Sequence, residues 1–302
     1  MNVDANISPE SVLARHGLPN SALKGLLRTL AAASDLLMDY DNNREDLQVE
    51  RKDDRSPVTE ADHAAHDLLI ECLAALTPEI PVLSEESPQK AMENRRHWNR
   101  YWLVDPLDGT KEFLDETGEF TINVALIVGQ RPVAGWIVVP IEKRCFVGMP
   151  DAGAWIATGV DFGQLLPLED PTQYVAGDPL RLIASVRHNP DRVEAMLAPL
   201  RRVSPKVTRV NAGSALKFCA LAEGAAEVYP RTSPCYEWDV AAGDALVHGA
   251  GGSLVGADGL PFIYNDRDSL LVNFFVAGVA TDTPWYSLIN PAQSLASRDR
   301  KE

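Results

Sequence analysis

Paired cysteines are missing from this chain of 302 residues. The four present, Cys72, Cys145, Cys219 and Cys235, show no paired spacing, which excludes a disulfide framework; they read as reduced thiols, at least two of them on apolar helix faces. Long apolar runs are missing too. The longest, near Leu270 to Ala280, is broken by Asn273 and is too short to span a bilayer. The first residues, Met1-Asn2-Val3-Asp4-Ala5-Asn6, carry neither a basic stretch nor an apolar core, so no secretory signal is expected and the chain is assigned to the cytoplasm. Positive charge is scarce. Lys and Arg total 28 against 43 Asp and Glu, a formal net charge of −15, which argues against nucleic-acid polymers or anionic membrane surfaces as partners. A small phosphorylated substrate stays compatible, because bound cations invert the charge of an acidic site.

What is present can fill a substantial core. Hydrophobic residues make up 45% of the chain, at a length where one core gives way to two domains. Residues 21 to 41 place Leu23, Leu26, Leu27, Leu30, Leu36 and Leu37 at the spacing of an amphipathic helix. Another helix is expected from Thr59-Glu60-Ala61-Asp62 through Leu76 to Pro78. Phe120 to Ile127 and Val133 to Val139 flank Gly129-Gln130 and predict a hairpin, which short strands at Cys145 to Gly148 and Ala154 to Ala157 extend into an antiparallel meander. The polar stretch from Gly159 to Asp178 is the candidate domain link. Beyond it, Arg181 to Val186 reads as a strand and Pro190 to Val203 as a helix. The expected organisation is an N-terminal extension over 1–20, an α+β metal-binding domain over 21–160, an α/β substrate-binding domain over 161–290 and a disordered tail over 291–302.

The chemistry concentrates in Leu103-Val104-Asp105-Pro106-Leu107-Asp108-Gly109-Thr110. An apolar strand delivers Asp105, Pro106 fixes the backbone, and Asp108 follows three residues later. Two carboxylates and the Leu107 carbonyl can face one point, an all-oxygen cluster of the kind that selects hard divalent cations. The amides of Gly109 and Thr110 suit a phosphate oxygen if a helical turn starts at Lys111-Glu112-Phe113-Leu114. The plain alternative is an acidic turn after a strand. A second acidic segment, Glu237-Trp238-Asp239-Val240-Ala241-Ala242-Gly243, opens a helix with Asp239 where an N-cap is expected, a role that by itself accounts for an Asp. Pro81-Val82-Leu83-Ser84-Glu85-Glu86-Ser87 ends another short apolar strand in two acids, which otherwise read as a solvated loop.

Taken in order, Ser56-Pro57-Val58-Thr59-Glu60-Ala61-Asp62, Ser84-Glu85-Glu86, Asp105 to Phe113 and Trp238 to Gly243 resemble the Mg²⁺-dependent, lithium-sensitive phosphomonoesterases related to inositol monophosphatase. Lys111-Glu112-Phe113, Gly213-Ser214-Ala215-Leu216-Lys217-Phe218-Cys219 and Leu221 to Gly224 leading to Tyr229-Pro230-Arg231 are similar to the bacterial 3'(2'),5'-bisphosphate nucleotidases within that family. The resemblance covers roughly Ala22 to Asn273. Two departures, Ala215 for a frequent serine and Val240 for a frequent threonine, touch substrate fit rather than metal ligation. The resemblance implies a layered α/β/α/β/α sandwich and two or three Mg²⁺ ions held by Glu85, Asp105, Asp108, Asp239 and the Leu107 carbonyl. It makes Asp62 and Thr110 the groups that orient and deprotonate a water, with Glu85 counted among the catalytic residues. Asp62 otherwise reads as a first-turn helix acid favoured by the dipole.

For substrate, the resemblance points to adenosine 3',5'-bisphosphate. Ser185-Val186-Arg187-His188, Ser214, Lys217 and Arg231 would hold its second phosphate and ribose, beside Glu85, Leu107, Asp108, Gly109, Thr110 and Asp239 at the reacting phosphate. Each has a plain alternative: a solvated helix lysine for Lys217, a loop cap for Arg231, a turn residue for His188. His63 and His66 share a helix face and read as packing or surface residues. Other readings remain, a phosphatase for inositol monophosphate or a sugar bisphosphate, or a catalytically silent metal-binding protein, against which the intact acidic set argues. The expected protein is a monomer or homodimer, cytoplasmic, with peripheral association to the inner face of the bacterial inner membrane left open.

Overall fold

In the computed structural model, residues 7–44, 48–51, 57–169, 173–185 and 190–289 are described. Val186, Arg187, His188 and the tail expected from 291 lie outside them. The N-terminal stretch is not featureless: α1 (Pro9–Arg15) starts at Ser8, whose hydroxyl accepts the Ser11 N–H at 3.3 Å, with Pro9 at the first helical position. Its seven residues are too few to show the periodicity that announces a longer helix. The expected amphipathic helix is α2 (Ala22–Asn42), whose leucine stripe is buried except for the half-buried Leu36. The next, α3 (Glu60–Leu76), is fixed at its start by a reciprocal cap between Thr59 and Asp62. A short hairpin, β1 (Val49–Arg51) with β2 (Pro57–Thr59), leads into it.

Seven strands form the larger sheet, in sequence order: β3 (Val82–Ser84), β4 (Arg100–Asp108), β5 (Thr121–Val128), β6 (Arg131–Val139), β7 (Arg144–Met149), β8 (Gly153–Thr158) and β9 (Leu166–Pro167). Only β3 pairs in parallel, and the rest is the expected antiparallel meander. Both faces of this sheet are buried, which is why its strands read as near-continuous apolar runs. Along β4, Trp102 and Val104 enter one core with the leucines of α2 and α3, while Tyr101 and Leu103 enter a second core on the opposite face. Between β3 and β4 run α4 (Gln89–Met92) and a 3₁₀ turn, Arg95–His97, and α5 (Thr110–Leu114) follows β4.

The smaller sheet has the order β11 (Val207–Asn211), β10 (Leu180–Ala184), β12 (Val228–Arg231), β16 (Phe275–Gly278), β14 (Ser253–Gly256), with β10 parallel to β11 and β12 and the other pairs antiparallel. Helices α7 (Leu216–Ala222) and α8 (Glu237–Gly249) pack between the two sheets, sharing the second core. Helices α6 (Pro190–Leu200) and α9 (Trp285–Ile289) lie over the far side of the smaller sheet, where residues such as Leu182, Leu200, Val276 and Trp285 form a third core. A further two-stranded pair, β13 (Cys235–Tyr236) and β15 (Leu271–Val272), sits at the head of α8. The layers are thus α/β/α/β/α. Close packing of α8 on the larger sheet depends on Gly148, where an added Cβ would come within 2.1 Å of Leu246 Cα. The four cysteines are free, three of them buried. Among the described residues, no helix is long and apolar enough to cross a membrane.

Candidate active site

Sheet register builds the acidic centre. The last pair of β3 with β4 is Ser84 with Val104, and the Glu85 N–H then donates to the Val104 carbonyl at 3.0 Å, which sets Glu85 beside Asp105. Between Asp105 and Asp108 the pairing of β4 with β5 shifts register, a bulge of the kind that re-aims side chains. Asp105 faces Asn123 and Asp108 faces Thr121 across it. Gly109 closes the strand in the left-handed region at φ 94°, where a Cβ would lie 3.1 Å from the Glu119 carbonyl, and α5 starts at Thr110 as its sequence suggested.

Glu85, Asp105 and Asp239 each bring a carboxylate oxygen within 4.8 Å of the other two. Asp239 arrives from the far side of the sheet, on α8. It is the third residue of that helix and not its N-cap, which is Tyr236; the Asp239 carboxylate reaches back to accept the Tyr236 N–H at 2.9 Å. The expected capping role is therefore real but shifted, because a carboxylate at the third position can serve the cap N–H while it also faces the cleft. Burial raises the Asp105 carboxyl well above the ordinary range, and the charges of Glu85, Asp108 and Asp239 push it further. Asp239 is raised by desolvation first, then by Asp108 and Glu85. Three acids so crowded call for a cation.

Asp108 stands outside that tight trio but close enough to act on two of its members. Its Oδ2 accepts from Ser214 Oγ at 2.7 Å, Asn123 Nδ2 at 3.3 Å and Thr121 Oγ1 at 3.4 Å. Ser214 was expected at the site, whereas Thr121 and Asn123 were not. Their signal was two polar residues at i and i+2 in an otherwise apolar strand, which places both on one face. The Leu107 carbonyl accepts Thr110 Oγ1 at 3.4 Å, and the Leu107 N–H donates to Asp105 Oδ1 at 3.1 Å.

Asp62 combines its two readings. Its Oδ2 accepts the Thr59 N–H at 2.8 Å and Thr59 Oγ1 at 2.6 Å, while Oδ1 accepts Thr110 Oγ1 at 3.1 Å. Burial raises its pKa against these hydrogen bonds. His66, one turn further along α3, meets Ser84 Oγ at 2.8 Å through Nδ1 and so joins the helix of Asp62 to the end of β3, just before Glu85.

The cations expected to grip a second phosphate are engaged internally. Lys217 is 1% exposed, donates to the carbonyls of Ala212 at 3.3 Å and Ser214, and is neither solvated nor free. Burial, with Arg231 nearby, lowers its pKa to about 8. Its two carbonyl bonds hold the turn in which Ser214 takes φ 45°. Arg231 donates to the Ser233 carbonyl at 3.0 Å, Tyr229 Oη at 3.3 Å and, at the exposed edge, the Pro234 carbonyl at 3.3 Å. These bonds brace its own loop, as the plain alternative had it. Ser185 follows β10, and its carbonyl accepts Arg209 Nη2 at 3.0 Å.

Fold and site together define a layered α/β protein in which two strand ends of the larger sheet and the head of α8 meet at a carboxylate centre suited to hard cations. The chain belongs to the inositol monophosphatase family, whose sequence profile matches residues 20–286. It is 41% identical over 239 residues to the 3'(2'),5'-bisphosphate nucleotidase CysQ of Salmonella typhimurium, covering 79% of this chain and 92% of that protein. Its structure is similar to that of CysQ from Bacteroides thetaiotaomicron, with a TM-score of 0.70 at 33% identity, covering 86% of this chain and 97% of that one. The suppressor protein suhB of Bartonella henselae shares the fold, with a TM-score of 0.69 at 22% identity over 91% of this chain and 98% of that one.

Proposed function

We propose that the protein is a Mg²⁺-dependent 3'(2'),5'-bisphosphate nucleotidase that converts adenosine 3',5'-bisphosphate to AMP and phosphate. The observation that carries this reading is the convergence of Glu85, Asp105 and Asp239 beside the Asp62–Thr110 hydrogen bond. The likeness to proteins named for that activity supports the choice of substrate. Glu85, Asp105, Asp108, Asp239 and the Leu107 carbonyl are the donors that would hold two or three Mg²⁺ ions. The buried, mutually repelling carboxylates fit that role, since their raised pKa values report charge that only cations or protons relieve. When bound, such ions make a water acidic enough to lose its proton near neutral pH and stabilise the departing oxygen.

The chain's own groups do the rest. Thr110 Oγ1, fixed by Asp62 Oδ1 and the Leu107 carbonyl, is placed to orient the attacking water, whose proton passes through the hydroxyl to Asp62. A carboxylate with a pKa raised by burial is the better base for that purpose. The water oxygen forms the new bond to phosphorus, the bond to the ribose oxygen breaks, and that oxygen leaves with a proton from solvent. The Gly109 and Thr110 amides hold the phosphate oxygens, and Ser214 fixes Asp108. Arg231, with Nη2 at the exposed rim, contacts the second phosphate, and Lys217 acts by shaping the Ser214 turn; His188 serves the ribose. The same reading includes inhibition by Li⁺, a cytoplasmic setting and a role in sulfur metabolism. Phosphate release from adenosine 3',5'-bisphosphate, its sulfated derivative, inositol 1-phosphate and fructose 1,6-bisphosphate tests it. Highest kcat/KM on the adenosine bisphosphate supports the reading; preference for the inositol or sugar phosphates contradicts it.

A further inference from the structure

Of the three clustered carboxylates, Asp105 belongs to a strand and Asp239 to a helix, whereas Glu85 stands in the turn that follows β3. Ser84 and Ser87 close that turn. The Ser87 N–H donates to the Ser84 carbonyl at 3.0 Å, and the Ser84 N–H donates to Ser87 Oγ at 3.0 Å. The Glu85 N–H reaches the Val104 carbonyl at 3.0 Å and ties the backbone to β4. A turn is held by fewer bonds than a ladder or a helix, so the aim of Glu85 depends on what anchors the residue before it.

That anchor is His66. Ser84 is 0% exposed, and its hydroxyl meets His66 Nδ1 at 2.8 Å. A buried hydroxyl that loses its partner is costly, so the contact fixes the turn from below. His66 follows Asp62 by four residues, one turn of α3, which puts both on one face of the helix. Asp62 bonds Thr59 and Thr110 at the head of that face, and His66 bonds the end of β3. One helix therefore sets the distance between the base and an acid of the trio. Burial lowers the pKa of His66, against Asp67 and together with His63. A neutral ring holds the hydroxyl without adding a charge beside a cation site.

We propose that His66 is a positioning residue for the metal centre: its bond to Ser84 holds the Ser84–Ser87 turn so that the Glu85 carboxylate meets those of Asp105 and Asp239, and it thereby sets the affinity for Mg²⁺. The proposal rests on the reading of Glu85 as a Mg²⁺ donor and goes beyond it, since His66 is no member of the trio. Calorimetric Mg²⁺ titration of the full-length protein without substrate tests it, in wild type, His66→Phe, His66→Asn and Ser84→Ala. Phenylalanine keeps a planar ring and loses Nδ1. Asparagine loses the ring and keeps a polar atom on Cγ where Nδ1 stood.

The expected result is a Kd for Mg²⁺ raised roughly 10-fold in His66→Phe, the lower end of the effect of removing an outer partner of a metal ligand. Ser84→Ala should match it, and His66→Asn should return towards wild type. The double variant His66→Phe with Ser84→Ala should bind no more weakly than either single one, because both changes remove the same bond. In turnover, saturating Mg²⁺ should restore the kcat of His66→Phe with KM for substrate unchanged. An unaltered Kd in His66→Phe, losses that add in the double variant, or an asparagine variant as impaired as the phenylalanine one would overturn the proposal. So would a fall in kcat that saturating Mg²⁺ does not restore, which would assign His66 to the support of Asp62. Wild type tests the underlying reading separately: no Mg²⁺ binding there overturns the metal site and the proposal with it, whereas binding that the variants leave unaltered overturns the proposal alone.

Discussion

Ser214 Oγ donates to Asp108 Oδ2 at 2.7 Å, a hydrogen bond between residues 106 positions apart. It joins the turn before α7 to the acidic strand end of the larger sheet, so the orientation of Asp108 depends on both halves of the molecule. Thr121 Oγ1, 2.5 Å from Ser214 Oγ, completes the contact. Ser214→Ala leaves Asp108 with weaker donors and should lower kcat/KM for adenosine 3',5'-bisphosphate by about 1–3 kcal/mol, the scale of a hydrogen bond to a charged group. The Mg²⁺ concentration for half-maximal rate should rise with it. Unaltered metal dependence would mean that the bond does not orient Asp108.

Asp62 and Asp105 should separate cleanly. Asp105 sits within the carboxylate trio and Asp62 bonds Thr110. Asp105→Asn is expected to lose both Mg²⁺ affinity and rate, whereas Asp62→Asn keeps Mg²⁺ binding and loses roughly 10²–10⁴-fold in kcat, the usual scale of general-base help. Calorimetric Mg²⁺ titration of both variants decides the matter. Equal loss of affinity would make Asp62 a ligand.

Stability of the metal-free protein should fall as pH rises. Asp239 has its carboxyl raised from 3.8 to about 7, so folding favours the protonated form. Its contribution is complete below the unfolded value and is lost as pH passes through the folded one. Asp105 acts in the same direction. Mg²⁺ competes with these protons, so the rise in Tm on adding Mg²⁺ should be small near pH 5 and larger near pH 8. Thermal melts at both pH values, with and without Mg²⁺, check this, and a shift independent of pH would mean that the carboxylates are already ionised at the lower pH.

Arg231 holds the Ser233 and Pro234 carbonyls and is proposed to touch the second phosphate from its exposed edge. Arg231→Ala should lower kcat/KM for adenosine 3',5'-bisphosphate by about 1–3 kcal/mol. Loss on inositol 1-phosphate should be smaller. Should both substrates suffer alike, Arg231 is a loop brace alone.

The run from Leu103 to Thr110 showed an all-oxygen cluster or an acidic turn by itself, and the acidic segments at Glu85 and Asp239 decided between them, while the bulge that aims its carboxylates belongs to the pairing with β5. The meander and the long helices were legible from their periods. Asp239 was read both as a helix-capping acid and, through the family resemblance, as a metal donor; only its place, third in α8 and not at the N-cap, needed the structure. Thr121 and Asn123 gain meaning only from the cross-strand register that sets them opposite Asp108 and Asp105. For Lys217 the structure sets aside the plain alternative of a solvated side chain. A helix lysine is usually solvated, and only the tertiary packing of α7 buries this one against Tyr229, with its ammonium 5.4 Å from the ring centroid.

Phosphate release from adenosine 3',5'-bisphosphate, measured in excess chelator and again after Mg²⁺ is restored, tests the central claim most directly. The acidic centre of Glu85, Asp105 and Asp239 predicts no turnover in chelator and recovery with Mg²⁺, yielding AMP and one phosphate per substrate. Full activity in excess chelator, or none on this substrate after Mg²⁺ is restored, would contradict it.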